Sequence, residues 1–429
     1  MKTKQVSLAI LASMTLFACS NNEDVNVPIT DNTPKTVVLK LDGIASASSR
    51  STDAPTTEES SGTNKHSVSV SDIAVIFYNE GGIITEAPDI ITTDDADGDW
   101  ATITSEQGNG KEYNNIDAAT DHVMVIGNYN SLPETNKNLI KQGTTIASIK
   151  AMQLPLSSQN QSGVEEGSAP AVSSTKAKMT LYGTGELTEI ANPDATTDGV
   201  AVAYQATVSI KPIVSRIEVT GVSCTFTTTG TGDVVDYTNV TLKGIGLFDY
   251  YNTMSLDGTT VTDYMDATKI VKPSEEAPEG GYIFLPTIET ALWAYDYIKT
   301  PDYTNVTMQG SGKVELKKGE ANATFAYNFF PVTDDVTSAT DADKVLANIR
   351  LLVDATPASG TAQNNNYVVT TNFRNEAGTV IKPEPGKIYQ FAYDFDEENI
   401  RQEWDADTKI VYVKVNVLEW DIVPVTPSF

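Results

Sequence analysis

Short runs in which every second residue is apolar recur along this chain of 429 residues and constrain its fold more than any other feature. Val37, Leu39 and Leu41 alternate with Val38, Lys40 and Asp42, and the stretches 68–78 and 200–210 repeat this spacing. A period of two is typical of a β-strand with one buried face. Thr, Val and Tyr, which favour strands, are also abundant. We therefore predict a mainly β fold.

A change of pattern near the middle of the chain indicates two folded parts. Lys211 and Pro212 interrupt a strand-like region, and proline stops the hydrogen-bonded ladder of a sheet. We place a domain boundary there, with an N-terminal domain over 51–211 and a C-terminal domain over 212–429. The best helical candidate is 133–152, which we expect to break at Gly143 into two short helices.

The first nineteen residues have the features of a bacterial export signal. A cationic start is followed by a short apolar core and by the small residues that precede Cys19. This arrangement resembles a lipobox, in which Cys19 is acylated, with palmitate among its chains, and becomes the first residue of the exported protein. An ordinary signal peptide with an incidental cysteine is the alternative. Residues 20–50 then form a propeptide that contains the first strand.

A polar stretch over 45–62 separates this first strand from the rest of the chain. It has no apolar face to bury, so we expect an exposed loop. Arg50 is the first arginine of the chain, and the next is Arg216. A protease specific for arginine would cut between Arg50 and Ser51 and separate the first strand from all that follows.

The C-terminal end carries a long apolar alternation over 409–425. Its first face holds four valines, and the apolar residues that follow have the opposite parity: Val411, Val413, Val415 and Val417, then Trp420 and Ile422. A one-residue change of phase reverses the buried face, so we expect a bulge or a break into two strands.

Signs of catalysis or of nucleic-acid binding are weak. The formal net charge of −28 opposes contact with nucleic acid. His66 and His122 are accompanied by no recognised nucleophile motif, so we predict that the protein is not an enzyme and needs no cofactor. Cys224 has no second exported cysteine to pair with if Cys19 is acylated, and we expect it to be a buried residue of a strand.

Two clusters allow binding but have simpler explanations. Asp95, Asp97 and Asp99 could supply oxygen ligands to calcium, although they lack the glycine and the distal glutamate of an EF-hand, and a solvated turn is favoured. Trp293, Tyr295 and Tyr297 could form a platform for sugars. They alternate, however, so packing is the more common use of such residues.

Several local motifs resemble those of the fimbrillins, the major subunits of type V pili of gut and oral anaerobes. The motifs are Ala74–Gly82, Val123–Asn128, Val214–Val219, Pro385–Tyr389 and the terminal alternation that ends in Glu419-Trp420. The resemblance implies two transthyretin-like β-sandwich domains in tandem and an outer-membrane lipoprotein precursor. It also implies an extracellular fimbria that serves adhesion and colonisation. Whether such a subunit occupies the stalk, the tip or the anchor stays open.

The same resemblance implies a route of assembly. An arginine-specific protease cuts after Arg50, the strand with Val37, Leu39 and Leu41 is displaced, and the C-terminal strand of a neighbouring subunit takes its place. The donor residues are then Val411, Val413, Val415, Val417, Trp420 and Ile422, and the partners are other subunits of a homopolymer. The alternative function is a monomeric outer-membrane lipoprotein that binds glycans through a β-sandwich and needs no cleavage at Arg50.

Overall fold

The fold is described from a computed structural model of the chain. The structure describes residues 33–44, 67–105, 110–159, 179–190, 203–226, 237–248, 250–265, 295–297, 312–316, 325–332, 348–357, 367–371, 383–396, 399–400, 414–419 and 421–424.

Strands dominate these residues, which confirms the mainly β class. The strands of the first half are β1 Lys35–Asp42, β2 Ser67–Val70, β3 Asp72–Asn79, β4 Asp89–Thr92, β5 Lys111–Ile116, β6 Thr120–Gly127, β7 Gln153–Pro155, β8 Leu181–Glu186, β9 Thr188–Ile190, β10 Ala203–Ser209 and β11 Lys211–Pro212. Those of the second half are β12 Ser215–Phe226, β13 Tyr237–Phe248, β14 Tyr250–Ser255, β15 Val261–Met265, β16 Tyr295–Tyr297, β17 Gly312–Leu316, β18 Phe325–Phe329, β19 Asn348–Pro357, β20 Tyr367–Thr371, β21 Lys387–Asp396, β22 Lys414–Glu419 and β23 Asp421–Pro424.

Two sheets of the first half lie face to face. Sheet I has the strand order β5-β1-β10-β9, and sheet II has the order β11-β8-β6-β3-β4. Strand β10 of sheet I contacts β8 and β6 of sheet II. Strand β3 is buried over most of its length, as its run of apolar residues predicts for a central strand. The two sheets together form a β-sandwich.

Glycines on β8 allow the two sheets to approach closely. A Cβ atom on Gly183 would lie 2.4 Å from the carbonyl oxygen of Ser209 on β10, which is far inside van der Waals contact. A Cβ atom on Gly185 would lie 3.0 Å from a methyl group of Val208. The absence of side chains at these two positions therefore sets the distance between β8 and β10.

The second half contributes two further sheets. Sheet III has the order β17-β12-β21-β22, with β18 also paired to β12, and sheet IV has the order β16-β13-β19-β20. Strand β12 is long enough that β18 pairs with Ser215–Val219 and β17 with Val222–Phe226 on the same edge. Cys224 lies on β12 opposite Val314, in a strand as predicted.

Two smaller groups of strands combine residues from both sides of position 212. Strand β7 pairs with β14, so that Leu154 lies opposite Met254. Strand β2 pairs in parallel with β23. Asn328 on β18 adds a side-chain link, since its amide donates to the carbonyl oxygen of Gln159 over 2.8 Å. The boundary at position 212 stays a prediction.

A buried polar corner fixes the passage from β2 to β3. Asn128 is fully buried with a positive φ of 56°, and its side-chain oxygen accepts from the backbone N–H of Ser71 over 3.0 Å. Its amide donates to the carbonyl oxygen of Met179 over 2.8 Å, and the carboxylate of Asp72 accepts from the backbone N–H of Asn130 over 2.7 Å. These bonds satisfy groups that burial would otherwise leave without water.

Helix is confined to short pieces in the part of the chain that the structure describes. The α-helices are α1 Asp99–Ile103, α2 Glu134–Lys137 and α3 Ile146–Lys150, and Tyr129–Ser131 and Leu156–Gln159 form single 3-10 turns. The predicted break at Gly143 is confirmed, because Gly143 has a φ of +83° and stands between α2 and α3. Thr145 caps α3 through a hydrogen bond from the N–H of Ser148. The acidic turn predicted near Trp100 ends in α1 rather than in a plain turn.

Candidate functional site

The first strand is the feature around which a functional site is built. Its alternating sequence gives an alternating burial: Val37 and Leu39 are completely buried and Leu41 is 6% exposed, whereas Val38 and Lys40 are half-buried. The buried side chains enter the shared hydrophobic core of the protein. The predicted strand is therefore confirmed in position and in the face that it buries.

Strand β1 is hydrogen-bonded along both of its edges. It runs parallel to β10, with Leu39 opposite Ala206 and Leu41 opposite Val208. It runs antiparallel to β5, with Leu39 opposite Lys111. β1 is thus an inner strand of sheet I, and we call the space that it fills between β5 and β10 the β1 slot. Removal of β1 would leave two unpaired ladders and an open apolar floor.

A cation marks the start of the β1 slot. The ammonium group of Lys35 donates to the carbonyl oxygen of Thr120 over 2.5 Å and lies 3.3 Å from a carboxylate oxygen of Asp121. The same ammonium group lies 4.6 Å from the centre of the ring of Tyr204 on β10. Lys35 is itself only 11% exposed at its side chain. These contacts fix the end of β1 as well as its register.

Strand β5, one wall of the β1 slot, is tied to sheet II by charged groups. Lys111 forms ion pairs with Asp89, at 2.8 Å, and with Asp99 at the start of α1. The hydroxyl of Tyr113 donates to Asp89 over 3.0 Å, and its ring packs edge-on against Phe77. We call Asp89, Asp99, Lys111 and Tyr113 the β5 clamp. The clamp holds β5 through bonds that do not involve β1.

The protonation of the β5 clamp follows from its burial and its charges. Burial by itself lowers the pKa of Lys111, but hydrogen bonds and attraction from Asp89 and Asp99 raise it above its ordinary value. Burial, with a further contribution from Asp89, raises the pKa of Tyr113 far above its ordinary value. Lys111 therefore stays charged and Tyr113 stays neutral over the physiological range.

The two C-terminal strands are paired within this chain rather than with β1. Strand β22 runs antiparallel to β21, with Val415 opposite Phe391 and Val417 opposite Tyr389. Strand β23 pairs with β2, with Ile422 opposite Val68. The predicted break of the long alternation is confirmed, since β22 ends at Glu419, β23 begins at Asp421, and the two strands belong to different sheets.

Several residues predicted to be functional lie outside the described residues. These are Cys19, Arg50, Ser51, His66, Trp293, Val411, Val413 and Trp420. The acylation of Cys19 and the cleavage after Arg50 therefore stay predictions. The structure does not bring the C-terminal strands and β1 together, and the donor and displaced roles of these strands stay predictions as well.

The other candidate residues that the structure describes take part in packing contacts, hydrogen bonds or strand pairing. His122 stacks on Tyr78 with ring centres 5.1 Å apart. Asp99 is engaged with Lys111, and Asp95 accepts a hydrogen bond from the backbone N–H of Asp97 over 3.1 Å. Tyr295 and Tyr297 lie on β16, opposite Gly246 and Gly244 of β13.

The described ranges contain neither a cluster of metal ligands nor a membrane-spanning helix. Among those residues no group of three or more His, Cys, Asp or Glu is placed to hold a metal ion. Within the same ranges no helix combines the length and the apolar character that a membrane crossing requires.

The sequence did not reveal the β5 clamp or the contacts of Lys35. Asp89, Asp99 and Lys111 are ordinary charged residues of surface-like segments, and they meet only because β4, α1 and β5 are adjacent in space. The one available signal was Lys35 itself, a cation directly before an alternating apolar run.

No protein family model matches the chain, and no curated protein sequence matches it. Among solved structures, the chain is similar to a candidate cell adhesion protein from Bacteroides eggerthii, at 14% identity and a TM-score of 0.49, over 92% of this chain and 98% of that one. It is similar to a fimbrilin (FimA) from Porphyromonas gingivalis W83, at 11% identity and a TM-score of 0.46, over 91% and 99%. It is also similar to the tip fimbrial protein Mfa3 from Porphyromonas gingivalis, at 11% identity and a TM-score of 0.38, over 91% and 100%.

Proposed function

We propose that this protein is a subunit of a surface fimbria and that β1 is its detachable strand. The observation that carries the proposal is the placement of β1. It is an inner strand of sheet I with a fully buried face, yet in sequence it lies before a polar stretch that contains Arg50. After a cut at Arg50, β1 would be held only by non-covalent contacts.

Loss of β1 would create a strong acceptor for another strand. Four buried side chains leave with this segment, namely Val37, Leu39 and Leu41 of β1 and Ile44 just after it, and they contribute about 6–12 kcal/mol if each is worth roughly 1.5–3 kcal/mol. The backbone groups of β5 and β10 that face β1 would lose their partners in addition. An extended, apolar segment of another molecule that adds to the sheet restores both the burial of apolar side chains and the backbone hydrogen bonds.

The C-terminal segment supplies a strand of that kind. Its four alternating valines, Val411 to Val417, match the period of the β1 slot. A contact between the slot of one subunit and the C-terminal segment of the next joins two different surfaces. Such contacts do not close on themselves, so they build a filament. β1 blocks this growth in the uncut precursor.

The exported precursor is, in this proposal, a lipoprotein anchored in the outer membrane through Cys19. Its partners are further copies of the same chain and an arginine-specific protease, and the product is an extracellular fimbria that serves adhesion. The protein acts through its surfaces rather than as an enzyme.

The proposal is tested with lipid-free precursor that begins at Ser20. It is treated with an arginine-specific protease, and filaments are counted by electron microscopy. We expect filaments from the wild type and from Arg374→Ala, which keeps Arg50, but not from Arg50→Ala or from a chain that ends at Tyr412. A protein that is cut cleanly after Arg50 and stays monomeric would overturn the proposal.

A further inference from the structure

We infer that residues 409–416 of a second copy fill the β1 slot in the direction and register of β1 itself, with Lys409 in the place of Lys35. This inference rests on the proposed function and specifies the contact by which it would operate. The slot is described by β5, β10 and the acceptors of Lys35. The occupant is identified by its sequence and by its charge.

The two eight-residue segments share one pattern. β1 reads Lys-Thr-Val-Val-Leu-Lys-Leu-Asp, and residues 409–416 read Lys-Ile-Val-Tyr-Val-Lys-Val-Asn. The three buried positions of β1 receive Val411, Val413 and Val415. The half-buried Lys40 is matched by Lys414, and the exposed Asp42 by Asn416, which keeps a polar group at that end.

The charge at the start of the slot favours this occupant. Without β1, the carbonyl oxygen of Thr120 and the carboxylate of Asp121 lose the ammonium group of Lys35. The ring of Tyr204 loses the same cation. Lys409 stands two residues before the first valine, as Lys35 stands two residues before Val37. It therefore restores these contacts in the register that we infer.

Neighbouring registers fail to place apolar residues at the buried positions, or fail to place a cation beside Asp121, or fail in both respects. A shift of one residue places Tyr412, Lys414 and Asn416 at the buried positions, which would bury a charge. A shift of two residues in one direction places Asp407 against Asp121 and Lys409 at a buried position. A shift of two in the other direction keeps valines inside but leaves Val411 where the cation belongs.

The register ends where β1 ends. Gly43 follows β1 with a φ of +79°, a conformation that is strained for the β-branched Val417 at the corresponding place. Within its own copy, the segment 414–416 pairs with Gln390–Ala392 of β21. Donation exchanges these pairs for those of the slot, while Val417–Glu419 stay on β21.

Disulfide formation between cysteines placed on opposite sides of the slot would show directly which residues of the second copy lie beside β5. Val38 lies opposite Glu112 on β5, where Glu112 is exposed. In the inferred register Tyr412 of the second copy takes the place of Val38. Opposed residues of adjacent strands lie within the Cα separation that a disulfide requires.

The experiment uses lipid-free precursor that carries Glu112→Cys together with Tyr412→Cys, Ile410→Cys or Lys414→Cys. Each variant is cut with the arginine-specific protease, oxidised and run on a non-reducing gel, with Glu112→Cys alone as the control for Cys224. We expect dimers and longer ladders only with Tyr412→Cys. Ladders with Ile410→Cys or Lys414→Cys instead would overturn the register while the fimbrial function stands. Filaments without any ladder would overturn it in the same way.

A failure of the wild type to form filaments after cutting would overturn both the register and the proposed function.

A second measurement tests the register without cysteine variants, in case these do not assemble. Lys409→Gln removes the cation and should slow filament growth by about tenfold, the loss expected for a charged hydrogen bond. Lys318→Gln, a lysine outside both segments, makes the same change of charge and should assemble like the wild type. Equal growth of the two variants would contradict the place given to Lys409.

Discussion

The ammonium group of Lys111 lies 2.8 Å from a carboxylate oxygen of Asp89, and this contact joins the wall of the β1 slot to the edge strand of the opposite sheet. Lys111 belongs to β5 and Asp89 to β4. β5 has β1 as its only partner strand among the described residues, so it depends on such side-chain contacts for its position when β1 is absent.

Loss of the charge on Lys111 should destabilise the protein. Lys111→Met leaves Asp89 and Asp99 close to each other without their cation, and both carboxylates are about one-third exposed. We expect a loss of about 1–2 kcal/mol in the free energy of unfolding by urea, after allowance for screening by solvent. Lys137→Met removes an ion pair with a single, strongly exposed carboxylate, that of Glu134, and should change the free energy of unfolding by less than about 0.5 kcal/mol. Equal effects would show that the β5 clamp is an ordinary surface pair.

Alkaline pH should weaken the protein through Tyr113. The pKa of its hydroxyl is raised in the folded state, so its contribution to stability is complete below the unfolded value of about 10 and is lost as pH rises above it. Tyr113→Phe loses the hydrogen bond to Asp89 and should be less stable than the wild type at pH 7. Urea unfolding should show that this difference shrinks above about pH 10. If the difference in stability between the wild type and Tyr113→Phe stays constant from pH 7 to pH 11, the alkaline loss of stability does not come from Tyr113.

The buried face of β1 should carry most of the affinity of the strand for its slot. Leu39→Ala removes a completely buried side chain and should cost about 2–5 kcal/mol in the unfolding of the uncut precursor. Thr36→Ala, at a half-buried position on the opposite face of β1, removes only a side-chain hydrogen bond to Asn114 and should cost much less, about 0.5–1.5 kcal/mol. If the two variants unfold at the same urea concentration, β1 does not occupy the slot as described.

The spacing of sheets I and II should depend on glycine at position 183. Gly183→Ala places a methyl group against the backbone of Ser209 and should cost about 3 kcal/mol or more. Gly185→Ala meets a side-chain methyl group at 3.0 Å and should cost less, and Gly81→Ala, close only to the side chain of Asn79, should cost least. Thermal unfolding of the three variants would test this order.

The buried corner at Asn128 combines a backbone and a side-chain requirement. Asn128→Ala loses the bonds to Ser71 and Met179 and also places alanine at a positive φ. We expect a loss of about 3–5 kcal/mol for the two effects together. Asn128→Gly removes the same bonds without the backbone strain and should recover about 1 kcal/mol of this loss. Identical unfolding of the two variants would exclude a contribution from the backbone.

Local features of this protein were predictable because their causes are local. The alternation of Val37, Leu39 and Leu41 identified both a strand and its buried face, since side chains on a strand alternate between its two sides. Gly143 divided the helical segment because glycine adopts a positive φ at little cost. The change of parity after Val417 located the separation of β22 from β23 for the same reason as the alternation.

The tertiary structure alone decided which strands lie beside each other. The parallel pairing of β1 with β10 and the pairing of β2 with β23 join segments that are distant in sequence, and an alternating pattern carries no information about its neighbour. The β5 clamp arose in the same way, because Asp89, Asp99 and Lys111 are brought together only by the packing of β4, α1 and β5. The sequence by itself thus determined the strands and their inward faces, through local sterics and hydrophobic period. Their partners, and with them the slot, were decided by long-range packing.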